Sequence, residues 1–162
     1  MRSPLNLTVL AFAFACGHPR IALRPQPANG TPLGIAVDSV ARITLTRGIG
    51  GWGNGADYWF EFSLVGHARY HGGLRSPILG DYEAKIPDST LTSLRNLLAQ
   101  PGALRASNGC CYDALTAVIL VVFADSTRSQ VTASCGAPEE NARLADALDL
   151  IGGHLAWRPM TP

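Results

Sequence analysis

The feature that most constrains this chain is residues 115–134, LTAVILVVFADSTRSQVTAS, bracketed by Cys110 and Cys111 on one side and Cys135 on the other. Residues 117–124 are an unbroken apolar run rich in Val and Ile. A run of that length and composition, bounded by turn residues, reads as a strand buried on both faces. Asp125 and Ser126 supply turn chemistry, and residues 127–134 alternate polar and small apolar side chains, as a half-exposed partner strand does. With a two-residue turn, Ala124 faces Thr127 and Thr116 faces Cys135. The rest of the chain has to cover this hairpin.

Other strands precede it. Ala41, Ile43 and Leu45 alternate with Arg42, Thr44 and Thr46, the pattern of a strand with one wet face. Residues 48–56, GIGGWGNGA, hold five glycines and form a loop with Trp52 at its tip. A dinucleotide site would need a helix N-terminus directly after those glycines to meet the phosphates, and the next segment alternates like a strand instead. Trp52 either folds back over the sheet or reaches a ligand or partner. Tyr58, Phe60, Phe62 and Leu64 then alternate with Trp59, Glu61 and Ser63. A third strand covers residues 68–71 and a fourth residues 81–86, with residues 72–79 as a loop between them.

Two helices obey the same logic. Pro87-Asp88-Ser89 opens the first, with Asp88 or Ser89 as its cap. Leu91, Leu94, Leu97 and Leu98 share one face, and Pro101-Gly102 stops it. Pro138, Glu139 and Glu140 suit the first turn of the second helix, where acidic groups meet the positive end of the dipole. Leu144, Leu148, Ile151 and Leu155 line its buried face, and Gly152-Gly153 is expected to end or loosen it. The expected fold is α+β, an antiparallel β-sheet with two helices on one face in the order ββββ-α-ββ-α, spanning residues 39–158. The second apolar face of the core strand then needs a cover: the Gly-rich loop, the N-terminal stretch or another molecule.

The N-terminus carries an address. One basic residue, Arg2, leads an apolar run of about eleven residues, too short to cross a bilayer as a helix. Ala13-Phe14-Ala15 fits the small-x-small rule for signal peptidase, and Cys16 comes directly after. The stretch resembles the lipobox of bacterial lipoproteins, although such boxes prefer Leu where Ala13 stands and a small residue where Phe14 stands. Residues 1–15 read as a signal peptide and Cys16 as the lipidated mature N-terminus. The alternative is ordinary cleavage that leaves Cys16 free. Residues 16–38, with four prolines and three glycines, read as an extended tether. The expected place is the bacterial cell envelope, with the membrane reached through the N-terminal lipid.

Charge excludes one large class of partner. The chain holds 13 basic and 12 acidic residues, and Lys85 is the only lysine. No basic run or stripe is present, so nucleic acid is not an expected partner.

A resemblance emerges from the short motifs in order. Ile43-Thr44-Leu45-Thr46-Arg47-Gly48, Tyr58-x-Phe60-x-Phe62 and Ala68-Arg69-Tyr70-His71-Gly72 are succeeded by Gly80-Asp81-Tyr82, the Leu-rich helix, Asp113 and Gly136-Ala137-Pro138. Together they resemble an uncharacterised domain family of bacterial exported proteins, over roughly residues 40–155. That family usually carries a Cys pair in the loop after the first strand, where this chain has none. The resemblance implies the fold and an exported setting, and no activity. The first helix and the hairpin after it are also similar, more weakly, to the small emfourin-type inhibitors of bacterial metalloproteases.

The chemistry-bearing residues are few. Cys110 or Cys111 bonded to Cys135 would staple the ends of the hairpin, closing a loop worth about 3 kcal/mol in the chain-entropy model. A vicinal Cys110–Cys111 bridge is the other arrangement. Adjacent cysteines without Cys-x-x-Cys spacing make awkward tetrahedral ligands, so neither metal nor cofactor is expected. His67 and His71, four apart on a strand, stand about 13 Å from one another and cannot chelate together. His154 reads as structural. No Gly-x-Ser-x-Gly elbow is present, and a thiol nucleophile beside Asp113 would still need a histidine. The expected function is non-enzymatic: a binding or accessory domain of the cell envelope, using Trp52 or an exposed sheet face bearing Trp59, with an envelope protein or a protease as partner. A protease inhibitor of the emfourin type is the alternative, and a thiol- or metal-dependent enzyme comes after both.

Overall fold

The computed structural model describes residues 27–49, 57–107, 115–133 and 136–161. Trp52, Asp113 and all four cysteines, Cys16, Cys110, Cys111 and Cys135, lie outside the described residues, and so do the expected signal peptide and both expected disulfide arrangements. Strands β1 (Val40–Ile49), β2 (Tyr58–Ser63), β3 (His67–Gly72) and β4 (Gly80–Lys85) precede helix α1 (Asp88–Ala99). Then come β5 (Leu115–Phe123), β6 (Arg128–Thr132), helix α2 (Glu139–His154) and a two-residue β7 (Arg158–Pro159). The sheet is seven-stranded and antiparallel in the order β6-β5-β1-β2-β3-β4-β7.

The alternation of the strands decides the layers. Ile43, Leu45, Phe62 and Ile119 point to one face and are fully buried, with Leu94 and Leu98 of α1 and Leu144 and Leu148 of α2 in the same core. Each such side chain contributes about 1.5–3 kcal/mol on leaving water. The fold is therefore the expected α+β arrangement with both helices on one face. It differs at its ends: a 3-10 turn (Val37–Ser39) precedes β1, and β7 adds an edge strand after α2. Neither Asp88 nor Ser89 caps α1, because the cap position is Pro87 and no side chain bonds there. Among the described residues, no helix is long and apolar enough to cross a membrane.

The organising hairpin forms, one residue out of the expected register. Val118 faces Thr132 and Val122 faces Arg128, which leaves three residues, Ala124, Asp125 and Ser126, in the loop. Asp125 Oδ1 accepts the Thr127 backbone N–H at 2.9 Å, and Ser126 closes the turn at φ +66°. A residue in the left-handed region after a turn is how a three-residue hairpin loop keeps the strand twist. β5 is an interior strand beside β6 and β1, while β2 holds the centre. Its second face is partly covered from within: Val122 lies in register between Arg42 and Arg128 and is buried. The aliphatic stems of two arginines suit that role.

The stretch expected to be a tether is laid along the domain from Gly30 onward. Gly30 N–H donates to Ala106 C=O at 2.8 Å, Leu33 N–H to Leu104 C=O at 2.8 Å, and Ala106 N–H to Thr31 C=O at 2.9 Å. Leu33, Ile35 and Val37 pack against the core. Backbone pairing of this kind needs no side-chain pattern, so proline-rich composition did not reveal it.

Candidate functional site

The open sheet face places Trp59 as the strand alternation requires, on the side away from both helices. Trp59 faces His71 across β2 and β3, and His71 faces Asp81 across β3 and β4. The indole and imidazole stack at 5.8 Å with 16° between their planes. His71 Nδ1 lies 2.7 Å from Asp81 Oδ1. The neighbouring row runs Glu61, Arg69, Glu83 and Arg158 across four strands, alternating in charge, and Arg42 reaches Glu61 at 3.6 Å. Cross-strand pairs of opposite sign stabilise a wet face by a few tenths of a kcal/mol up to about 1 kcal/mol each. Trp59 is thus engaged with its own sheet. His67 and His71 share this face of β3 two pleats apart, and among the described residues no three His, Cys, Asp or Glu side chains gather closely enough to hold a metal.

A second feature lies on the helix-bearing side, at the last turn of α2. Alternation along β2 and β3 sends Tyr58, Phe60 and Tyr70 to the same face, and Trp157 folds back from the chain after α2 to join them. Phe60 and Trp157 stack at 5.7 Å, Phe60 and Tyr70 lie 5.1 Å apart, and Tyr58 meets Phe60 edge-on at 5.3 Å. Trp157 Nε1–H donates to Gly152 C=O at 2.8 Å, which fixes the indole against the helix end. The loop 73–79 brings Pro77 and Ile78 over the rings, with Tyr70 Oη–H donating to Ile78 C=O at 3.0 Å. That crossing requires glycine at position 72, because a Cβ there would overlap the Ile78 carbonyl.

Together with Asp149, Gly152 and Gly153 these groups enclose a cleft of about 260 Å³. Among the described residues, Asp149 is the one charged side chain that lines it. Its Oδ1 accepts the Tyr58 hydroxyl at 2.8 Å and its Oδ2 accepts Arg47 Nε–H at 2.8 Å. Arg47 also donates to Asp146 Oδ1 at 2.9 Å, so one guanidinium answers two carboxylates. Burial works against the Arg47 charge, and Asp149 together with Asp146 more than offsets it, holding the guanidinium pKa above its ordinary value.

Burial first, and then donation to Asp149, push the Tyr58 phenol up to about 12. A folded-state pKa above the ordinary value near ~10 means the neutral phenol is the form the fold stabilises. That contribution is full below about pH 10 and is lost as pH rises through about 12. An ultraviolet phenolate titration should show a step near pH 12 that is missing in Tyr58→Phe. A Tyr58 step near the ordinary value would contradict the bond.

Sequence reading found half of this site. The faces of Tyr58 and Phe60 follow from alternation, while Tyr70 and Trp157 join them only through the fold. Asp149 carries no signal, since its partners Arg47 and Tyr58 stand 102 and 91 residues away. Helix α2 stops at His154, one residue past the expected Gly152-Gly153, and the cap N–H of Leu155 returns to Gly152 C=O. Gly152 is also the point of closest approach to the sheet, where a Cβ would lie 2.7 Å from three Phe60 ring atoms.

Comparison with protein-family models, with curated proteins and with solved structures finds no match for this chain.

Proposed function

We propose that the protein is a non-enzymatic binding domain, exported to the bacterial cell envelope and anchored there through lipid on Cys16, with the aromatic cleft as its binding site. The observation that carries this reading is the cleft itself: four aromatic rings and one positioned carboxylate at the mouth of about 260 Å³. Small-molecule sites usually run from about 300 to 1,000 Å³, lined by apolar and aromatic groups with a few fixed polar ones. This cleft has that character at the size of one side chain or one head group, which suits recognition of a partner better than storage of a cofactor. Trp52 and the face bearing Trp59 remain secondary contact candidates.

Gly153 provides the test. It lines the cleft, and a Cβ built on it meets nothing within 4 Å. Gly153→Leu therefore sets a bulky side chain on the rim of the cleft, with free room at its Cβ, and favours the helix by about 0.8 kcal/mol. Tagged protein spanning residues 16–162, crosslinked in an envelope extract, is expected to capture one stoichiometric partner that Gly153→Leu fails to capture. Capture that survives Gly153→Leu, or no partner at all, would overturn the assignment. A metalloprotease as that partner would make the domain an inhibitor. The anchor is tested separately: a labelled fatty acid should enter the wild-type protein and not Cys16→Ser.

A further inference from the structure

Resting on the cleft as the binding site, we infer that its occupant is a cation on an apolar stem, supplied as an arginine or lysine side chain of a partner protein. The walls and the charge argue for it together. Aromatic faces attract cations through their quadrupole, most strongly where water is thinned out. Phe60 and Tyr70 are buried, and Tyr58 and Trp157 half-buried, so the rings that line the cleft are largely shielded.

The fixed charge beside them has the complementary sign. Among the described residues Asp149 is the only ionised group on the lining, and it shares Arg47 with Asp146, so the cluster of three keeps a net negative charge. Asp149 Oδ2 is met by both Nε and Nη2 of Arg47, at 2.8 and 2.6 Å, while Oδ1 accepts the Tyr58 hydroxyl and keeps a second lone pair for a ligand. Gly152 and Gly153 add the last turn of α2, the negative end of the helix dipole. An anion would meet repulsion from all of these, and a purely apolar group would leave the carboxylate unused.

The surroundings decide between a free amine and a protein partner. Ile78, which lines the cleft, is 44% exposed, and Leu74 at 93% and Leu79 at 58% stand on the same loop. Apolar surface gathered beside a small pocket is the pattern of a protein contact around an anchoring side chain. A free small amine would fill the cleft and leave that rim in water.

The experiment uses the mature chain, residues 16–162, labelled with nitrogen-15. The Trp157 indole and Gly153 amide signals report on the cleft. Blocked arginine amide and blocked lysine amide are titrated against blocked norleucine amide, which keeps the stem and removes the charge. Saturable shifts are expected with both basic probes, with norleucine weaker by about tenfold. Gly153→Leu should abolish the shifts, and Asp149→Asn should weaken binding of the basic probes several-fold with little effect on norleucine. Norleucine binding as tightly as arginine would overturn the cation inference and leave the binding cleft standing. Shifts from none of the probes would also overturn it. If, in addition, partner capture were indifferent to Gly153→Leu, the cleft itself would fall.

Discussion

Replacing Asn141 with leucine is expected to destabilise the protein by about 3 kcal/mol, although leucine is the better helix former. Asn141 sits in the first turn of α2 with no exposed surface. Its Nδ2 donates to Arg105 C=O at 2.9 Å and to Thr132 C=O at 3.0 Å, and its Oδ1 accepts Arg105 N–H at 2.8 Å. The amide therefore satisfies three backbone groups from two separate segments, β6 and the stretch that precedes β5. Leucine leaves all three without a partner away from water, at about 1 kcal/mol each at the low end. For a chain of this size the loss corresponds to roughly 6–12 °C in Tm. Urea unfolding should show a lower midpoint with unchanged slope, since the surface exposed on unfolding stays the same. A loss under about 1 kcal/mol would mean that the clip is not what holds these segments.

The second large effect is a contrast between neighbours. Gly152→Ala is expected to cost about 2 kcal/mol net, and Gly153→Ala to stabilise by about 0.5–1 kcal/mol. Both replacements gain the same helix propensity, so any difference comes from packing. At Gly152 the new methyl meets Phe60 at 2.7 Å. That ring cannot turn aside, because it is buried and stacked on Trp157 at 5.7 Å. At Gly153 the methyl points into open space. Thermal melts of the two variants should bracket the wild type. Equal shifts would mean that α2 can slide on the sheet, and the cleft would then have no fixed wall.

These two sites mark where sequence reading stopped. Periodicity was enough for Ile43, Leu45, Phe60, Phe62, Leu94, Leu98, Leu144 and Leu148, because burial on one face imposes a repeat on the chain itself. It could not place Asn141, whose polar side chain at a helix start looks like an ordinary solvated residue. Gly152-Gly153 marks the end of α2 to within a residue, but the room Gly152 leaves for Phe60 carries no signal in the sequence. The hairpin register slipped by one because Ser126 adopts a positive φ that glycine or asparagine would have announced. The two residues of β7 are too few for any pattern. Of the candidate site, the Tyr58 and Phe60 part of the aromatic wall was legible in the strands. The carboxylate was not, since only the fold brings α2 beside β1 and β2.

The docking of the N-terminal stretch gives the molecule a handle and a working end. Arg105 Nη1–H donates to Gly30 C=O at 2.8 Å, and its Nε stands 3.0 Å from Glu140 in the first turn of α2, an ion pair without hydrogen-bond alignment. The chain before Gly30 thus joins the domain beside the start of that helix, while the cleft lies beside its last turn, about 20 Å further along at 1.5 Å per residue. A lipid on Cys16 would act through a leash of about 14 residues, with a reach of roughly 50 Å at full extension. If Cys16 carries the proposed lipid, a pull from the bilayer would reach the domain beside the start of α2 and leave the cleft at the far end of that helix. A partner held in the same membrane would meet the sides of this domain before its mouth.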